Sequence, residues 1–302
     1  MKIDTLAKLA CAFSGLVWGL FWIPIRSLAA AGIAGVWATL VFYEVPFVLV
    51  LPLLFRRRRQ TIEGGPRLQA LGFMTAVSLV LYSISMLYTE VVKAMLLFYL
   101  TPLWSTLLAR VFLDEPITRL RWLAMALGLI GMLVIFRADI GMPLPQSAGD
   151  WLALASGLIW SVASVMLRTD KGTSAIELFT QNFIWSGVIA LAFVLIIDPG
   201  FNTSPPLLDY IEQLPWLVPV IVTVVMSGVY ASMWGAPKLN PGIVGLLFMT
   251  EISIGAITAA LWSGDPFGWR EAIGIVLITT AGILESLWDL LNLRRAQINS
   301  AG

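Results

Sequence analysis

The chain has 302 residues, 59% of them hydrophobic and 12% charged, with a formal net charge of +1. Soluble domains run nearer roughly 45–50% and 25%, so this balance excludes an ordinary soluble domain and offers no basic surface for nucleic acid. Without histidine there is no His-based triad and no His-Glu-x-x-His metal site. Neither a Gly-x-Ser-x-Gly elbow nor a phosphate-binding loop occurs.

Apolar runs predict an all-α integral membrane protein with ten transmembrane helices, at about 6–27, 33–55, 68–89, 92–113, 119–136, 150–168, 175–197, 215–235, 242–262 and 269–291. Each comes close to the roughly 20 residues that cross a bilayer core of about 30 Å. The first run has no small-residue cleavage site and reads as a span rather than a signal peptide. Loops are expected around Arg56–Arg59 and Gly64-Gly65-Pro66, at Pro143–Pro145, at Pro199–Pro206 and at Asn240-Pro241-Gly242. Pro102 falls near the middle of the fourth run, where it should kink the helix and free a carbonyl. Of the 19 Lys and Arg, 15 fall on the face that would carry both termini and 4 (Arg26, Lys93, Arg137, Arg270) on the other. That bias puts both termini in the cytoplasm. The lone Cys11 can form no internal disulfide.

The chain also repeats. Ser14-Gly15-Leu16-Val17-Trp18 returns as Ser156-Gly157-Leu158-Ile159-Trp160, and Arg26 as Arg168, 142 residues on. Thr75 and Tyr82 return as Thr223 and Tyr230 at 148, Phe98 and Thr101 as Leu247 and Thr250 at 149, Asp114-Glu115-Pro116 as Gly264-Asp265-Pro266 at 150, and Gly131 as Gly282 at 151. An offset that only rises is what small loop insertions produce. Residues 1–140 and 141–302 therefore read as two five-helix repeats. An odd number of crossings inverts the second against the first, as in many secondary transporters whose site lies near the midplane between halves.

Several spans carry polar and aromatic stripes at helical spacing. Helix 3 has Thr75, Ser78, Tyr82, Ser85 and Thr89; helix 8 has Thr223, Ser227, Tyr230 and Trp234; helix 1 has Ser14, Trp18 and Trp22; helix 6 has Ser156, Trp160 and Ser164; helix 4 has Tyr99, Pro102 and Thr106. Lipid has no use for such stripes. They point either to close helix packing or to a central cavity. The cavity reading places Trp18, Tyr82, Tyr99, Trp160 and Tyr230 around one space, with Ser78, Ser164 and Ser227 as partners for a substrate carboxylate. Glu44 and Glu251 sit near the middles of helices 2 and 9. A buried carboxyl there is costly, so each is either a coupling or amine-recognition group or a protonated packing group. Trp122, Trp151, Trp216, Trp269 and Trp288 fit interfacial anchors.

Two five-helix units, a helix-4 pattern Leu100-Thr101-Pro102-Leu103 running to Asp114-Glu115-Pro116, and a following glycine-rich helix resemble the drug/metabolite transporter superfamily, EamA-type. The second copy departs, with Glu251 in place of the proline and Gly264-Asp265-Pro266 in the turn. The tryptophans of helices 1 and 6 and the tyrosines of helices 3 and 4 look most like YddG-type aromatic amino acid exporters. The resemblance implies an inner-membrane exporter of small metabolites that works by alternating access, with no metal or cofactor. The alternatives are an exporter of other metabolites or cationic drugs, and a membrane receptor or scaffold that binds without translocating. Sequence leaves the oligomeric state and the driving force open.

Overall fold

In a computed structural model, the described residues are 3–89, 91–135, 145–170, 172–262, 268–282, 284 and 288, and among them there is no strand. Arg137, Gly264-Asp265-Pro266, Arg294, Arg295 and Ala301 lie outside them. Seven helices are long and apolar enough to cross a membrane: Ile3–Ala30, Val36–Arg56, Arg58–Tyr88, Lys93–Leu113, Ala148–Thr169, Ala175–Ile197 and Leu207–Lys238. These match the expected helices 1–4 and 6–8. The other three are shorter: Arg119–Ile135, the pair Pro241–Phe248 and Thr250–Trp262, and 269–282. The seven and these three shorter segments are labelled below as spans 1–10 in chain order, only the seven being long and apolar enough by themselves to cross a membrane.

Two belts of polar contacts tie the helix ends. On the face where Ile3 begins, here the N-terminal face, Arg57 pairs with Glu177 at 3.0 Å, Arg67 with Asp170 at 3.3 Å and Arg168 with Glu115 at 3.3 Å. Asp114 stops span 4 in the left-handed conformation, φ 53°, a short polar residue that tolerates it. On the opposite face Asp150 accepts from Lys93 Nζ at 2.6 Å and Thr89 Oγ1 at 2.5 Å. Asp198 there caps its own loop through Thr203 and Asn202 and takes the Trp37 indole N–H at 3.3 Å.

One expected loop comes out as helix, and one span starts earlier than expected. Residues 58–64, expected to be irregular, form a helical stretch with an Arg59–Glu63 pair one turn apart at 2.8 Å. Only Gly65, at φ 54° and ψ −154°, breaks it, a conformation that suits glycine. Pro66 then starts the membrane portion, where a missing N–H costs least. Span 8 begins at Leu207 rather than near 215 and holds Pro215 and Pro219 within it. Directly after Pro219 the helix opens into a π turn over Ile221–Met226, the kind of local unwinding a proline's missing donor and ring permit.

The interiors of spans 4 and 9 break at corresponding places, after Phe98 and after Phe248. In span 4 the cause is Pro102, which cannot donate to the Phe98 carbonyl four residues back. Thr101 Oγ1 takes that carbonyl instead, at 2.5 Å. Thr250 Oγ1 does the same for Leu247 O at 2.8 Å.

Lipid gives helices no hydrophobic drive to associate, so close backbone packing at small residues holds such a bundle together. The repeat shows here in atoms. A Cβ on Gly157 would lie 2.6 Å from Phe98 O, and one on Gly15 would lie 3.0 Å from Leu247 O. Span 6 thus packs on span 4 as span 1 packs on span 9. Ser156 donates to Ser78 O at 2.8 Å, and Ser14 to Gly228 O at 2.9 Å.

Candidate functional site

Trp18, Leu79, Tyr82, Phe98, Trp160, Ser232, Phe248 and Glu251 line a cavity where spans 1, 3, 4, 6, 8 and 9 meet. Four of these, Trp18, Tyr82, Trp160 and Glu251, are residues the sequence singles out. Phe98 and Phe248 stand just before the two helix breaks, so the breaks bring rings and loosened backbone to the same place. Tyr82 stacks on Phe98 at 4.4 Å between centroids, and Trp160 lies tilted to Phe248 at 5.6 Å.

Glu251 is 4% exposed and occupies the first turn of the half-helix Thr250–Trp262. The positive end of that half-helix favours a carboxylate. Tyr82 Oη donates to Glu251 Oε1 at 3.0 Å, and Tyr99 Oη donates to Oε2. Tyr99 Oη also reaches Phe248 O at 3.1 Å, one of the carbonyls at the break. Tyr99 therefore supports the cavity from beneath, holding Glu251, rather than walling it.

The other sequence candidates go elsewhere. Ser78 is spent on Ser156 O at 3.0 Å and serves packing. Ser227 donates to Thr223 O at 2.5 Å on its own helix. Tyr230 is 43% exposed and sits edge-on to Phe179 at 5.8 Å. A π turn lies just upstream, over Ile221–Met226, and wide turns of that kind change the register of the positions that follow. Beyond it, Gly228 answers Ser78 and Ser232 answers Tyr82, 150 residues on rather than 148. A serine thus stands where the sequence repeat would put a second phenol. Ser164 is buried one turn beyond Trp160 and is not among the cavity residues. Glu44 is half-buried on span 2 and is not among the cavity residues. Trp122, Trp151, Trp269 and Trp288 are exposed, as anchors would be.

The cavity measures about 20 Å³, room for about one water. Toward each face the surrounding spans pack closely: a Cβ on Gly149 would come 2.6 Å from the Tyr88 carbonyl carbon, and one on Gly235 would come 2.9 Å from Ala7 O. Any larger occupant requires the surrounding side chains or spans to move.

The comparisons agree with this architecture. The model of the EamA-like transporter family matches twice, over residues 5–137 and 147–286. A chloramphenicol-sensitive protein RarD of Pseudomonas aeruginosa is 26% identical over 204 residues, covering 66% of this chain and 62% of that one. The chain thus matches about three fifths of that relative's length. An uncharacterized transporter of Clostridium kluyveri is 24% identical over 81% of both chains. A solved crystal structure superposes with a TM-score of 0.73 at 16% identity, over 94% of this chain and 98% of that one, which speaks to the fold. The chain is a multi-pass membrane protein and belongs to the EamA-like transporter family.

Proposed function

We propose that this transporter exports amino acids, aromatic ones included, across the inner membrane by alternating access, with residues 1–140 and 141–302 rocking as two halves. Glu251 among aromatic rings carries this reading. A carboxylate held by two phenols attracts an ammonium group. The faces of Trp18, Trp160 and Phe248 add a cation–ring attraction of roughly 0.5–2 kcal/mol. Ring pairing with an aromatic side chain contributes about 0.5–1.5 kcal/mol beyond area burial. Orientation follows the Lys and Arg bias, which makes the N-terminal face cytoplasmic.

A second reading, export of other small metabolites or cationic drugs, has its own support. Glu251 is the one carboxyl among the described cavity residues, and a lone carboxylate within rings recognises organic cations of many shapes. Counterflow of labelled phenylalanine, tryptophan and phenethylamine in proteoliposomes decides between them. The amino acid reading expects exchange of phenylalanine and tryptophan, reduced by Trp160→Ala and by Tyr82→Ala at wild-type abundance. Exchange of the amine alone favours the second reading. Saturable binding without any exchange identifies a receptor.

A further inference from the structure

We propose that four buried donors on the N-terminal-face side of the cavity, Trp160 Nε1, Ser164 Oγ, Thr106 Oγ1 and Asn240 Nδ2, form a subsite for a carboxylate. The inference deepens the amino acid reading and rests on it for the identity of the cargo. It rests on the geometry alone for the chemistry of the subsite.

Each of the four residues is buried, with exposures of 3%, 2%, 1% and 7% in that order, and none of the four atoms has a hydrogen-bond partner. Trp160 and Ser164 are one turn apart on a single face of span 6. Spans 4 and 6 run in the same direction, with Gly157 against Phe98 and Ser161 Oγ 3.4 Å from Thr101 O. That register brings Ser164 level with the turn that holds Thr106. Span 9 starts at the same depth. A Cβ on Gly242 would touch Thr106 Oγ1 and lie 3.1 Å from Asn240 Oδ1. Asn240 spends its carbonyl oxygen on Gly242 N at 2.8 Å, which leaves its NH₂ free to donate.

The chemistry selects the ligand. An indole N–H and an amide NH₂ can only donate, and the two hydroxyls can donate as well. Buried donors without acceptors call for an explanation, and a carboxylate supplies acceptor sites on two oxygens. The half-helix Pro241–Phe248 begins at Asn240 and turns its positive end toward the same place. The repeat provides the control. Trp18, the counterpart of Trp160, donates to Ser14 Oγ at 3.0 Å. Trp22 stands where Ser164 stands in the other half and donates to Thr258 Oγ1 at 3.1 Å. The two indole donors of span 1 are thus spent, whereas Trp160 Nε1 and Ser164 Oγ of span 6 are not. Trp160 shares the cavity with Glu251, so a zwitterion would place its ammonium at Glu251 and its carboxylate at Trp160, with Ser164, Thr106 and Asn240 receiving it toward the N-terminal face.

Three probes separate the ends of the ligand: phenylalanine, 3-phenylpropionate with only the carboxylate, and phenethylamine with only the amine. Affinity is measured on the full chain in nanodiscs for wild type, Ser164→Ala and Thr106→Val. We expect each variant to weaken phenylalanine and 3-phenylpropionate by about tenfold, the scale of one hydrogen bond to a charge, and to leave phenethylamine unchanged. Trp160→Phe should act the same way while keeping a ring in place. Equal losses for all three probes, or no loss for any, would overturn the subsite; so would 3-phenylpropionate failing to bind wild type, which leaves the donors to water. If 3-phenylpropionate binding depends on Ser164 and Thr106 but phenylalanine shows no counterflow, the subsite stands and the amino acid reading falls. The reverse pattern drops the subsite and keeps that reading.

Discussion

Replacing Glu251 by Gln tests what the carboxylate does, because the structure allows the fold to accept the change. The amide oxygen can still take the Tyr82 hydroxyl, which donates to Oε1 at 3.0 Å. Tyr99 then loses its carboxylate partner but keeps Phe248 O at 3.1 Å and can accept from the new amide N–H. Every polar group in the cluster stays paired, so the cost in stability should be small, about 1 kcal/mol or less. The cost to an ammonium ligand is larger. It loses a hydrogen bond to a charge, roughly 1.5–3 kcal/mol, or about 10- to 150-fold. The assay is phenylalanine counterflow in proteoliposomes, alongside thermal unfolding and membrane abundance. We expect KM to rise at least about tenfold with abundance and melting behaviour close to wild type. A wild-type KM in a well-folded Glu251→Gln protein would refute amine recognition at this carboxyl.

Three further outcomes test the frame around the site. Gly157→Leu puts a side chain against the Phe98 carbonyl, 2.6 Å from where Cβ would sit, and backbone cannot step aside; overpacking of about 1–3 kcal/mol or more should lower the folded fraction in membranes. Gly172→Ala, with nothing within 4 Å, should leave it unchanged. In a Cys11→Ser background, a cysteine at Thr203 should react with an impermeant thiol reagent in intact cells and one at Gly64 should not; the opposite pattern would invert the topology. The Asp198 carboxyl lies below the usual carboxylate range, first because the Thr203 backbone N–H donates to it. A depressed group stabilises the fold above its unfolded pKa of about 3.9, and the benefit fades as pH falls through the folded value. The protection of the Asn202 and Thr203 amides, taken relative to intrinsic exchange at each pH, should therefore hold at neutral pH and be lost in acid. Asp198→Asn, which keeps one acceptor oxygen but cannot titrate, should show weaker protection that does not change through the same pH range.

Much of this was legible in the sequence, and the gaps have physical causes. Span lengths, the break at Pro102 and the pairing of Gly15 with Gly157 follow from hydropathy, a missing N–H and a pentapeptide repeated with one Val-to-Ile change. Trp18, Trp160 and Glu251 were legible because their spacing and depth are set by one helix each. Tyr230 falls away from the cavity because the structural register there runs two residues beyond the sequence repeat, and prolines at 215 and 219 signal a disturbance without fixing that register. For the same reason Ser232 went unnoticed. Phe98 and Phe248 did carry a signal, two phenylalanines 150 residues apart, but a ring in an apolar span looks like any core residue. The two phenols on Glu251 come from spans 3 and 4, a convergence that only the fold can show. Residues 58–64 read as a loop in the sequence because glycine and charge mask a helix that lies outside the apolar period.

The central claim is that cargo binds between the two halves, against Glu251. A structure of the full chain with phenylalanine bound tests it most directly. The account predicts the amino acid within the cavity, its ammonium about 3 Å from a Glu251 oxygen, its ring among Trp18, Trp160 and Phe248, and one of the contacts at Gly149 or Gly235 opened. Density for phenylalanine elsewhere, with the Glu251–Tyr82–Tyr99 cluster unchanged and the contacts at Gly149 and Gly235 intact, would contradict it.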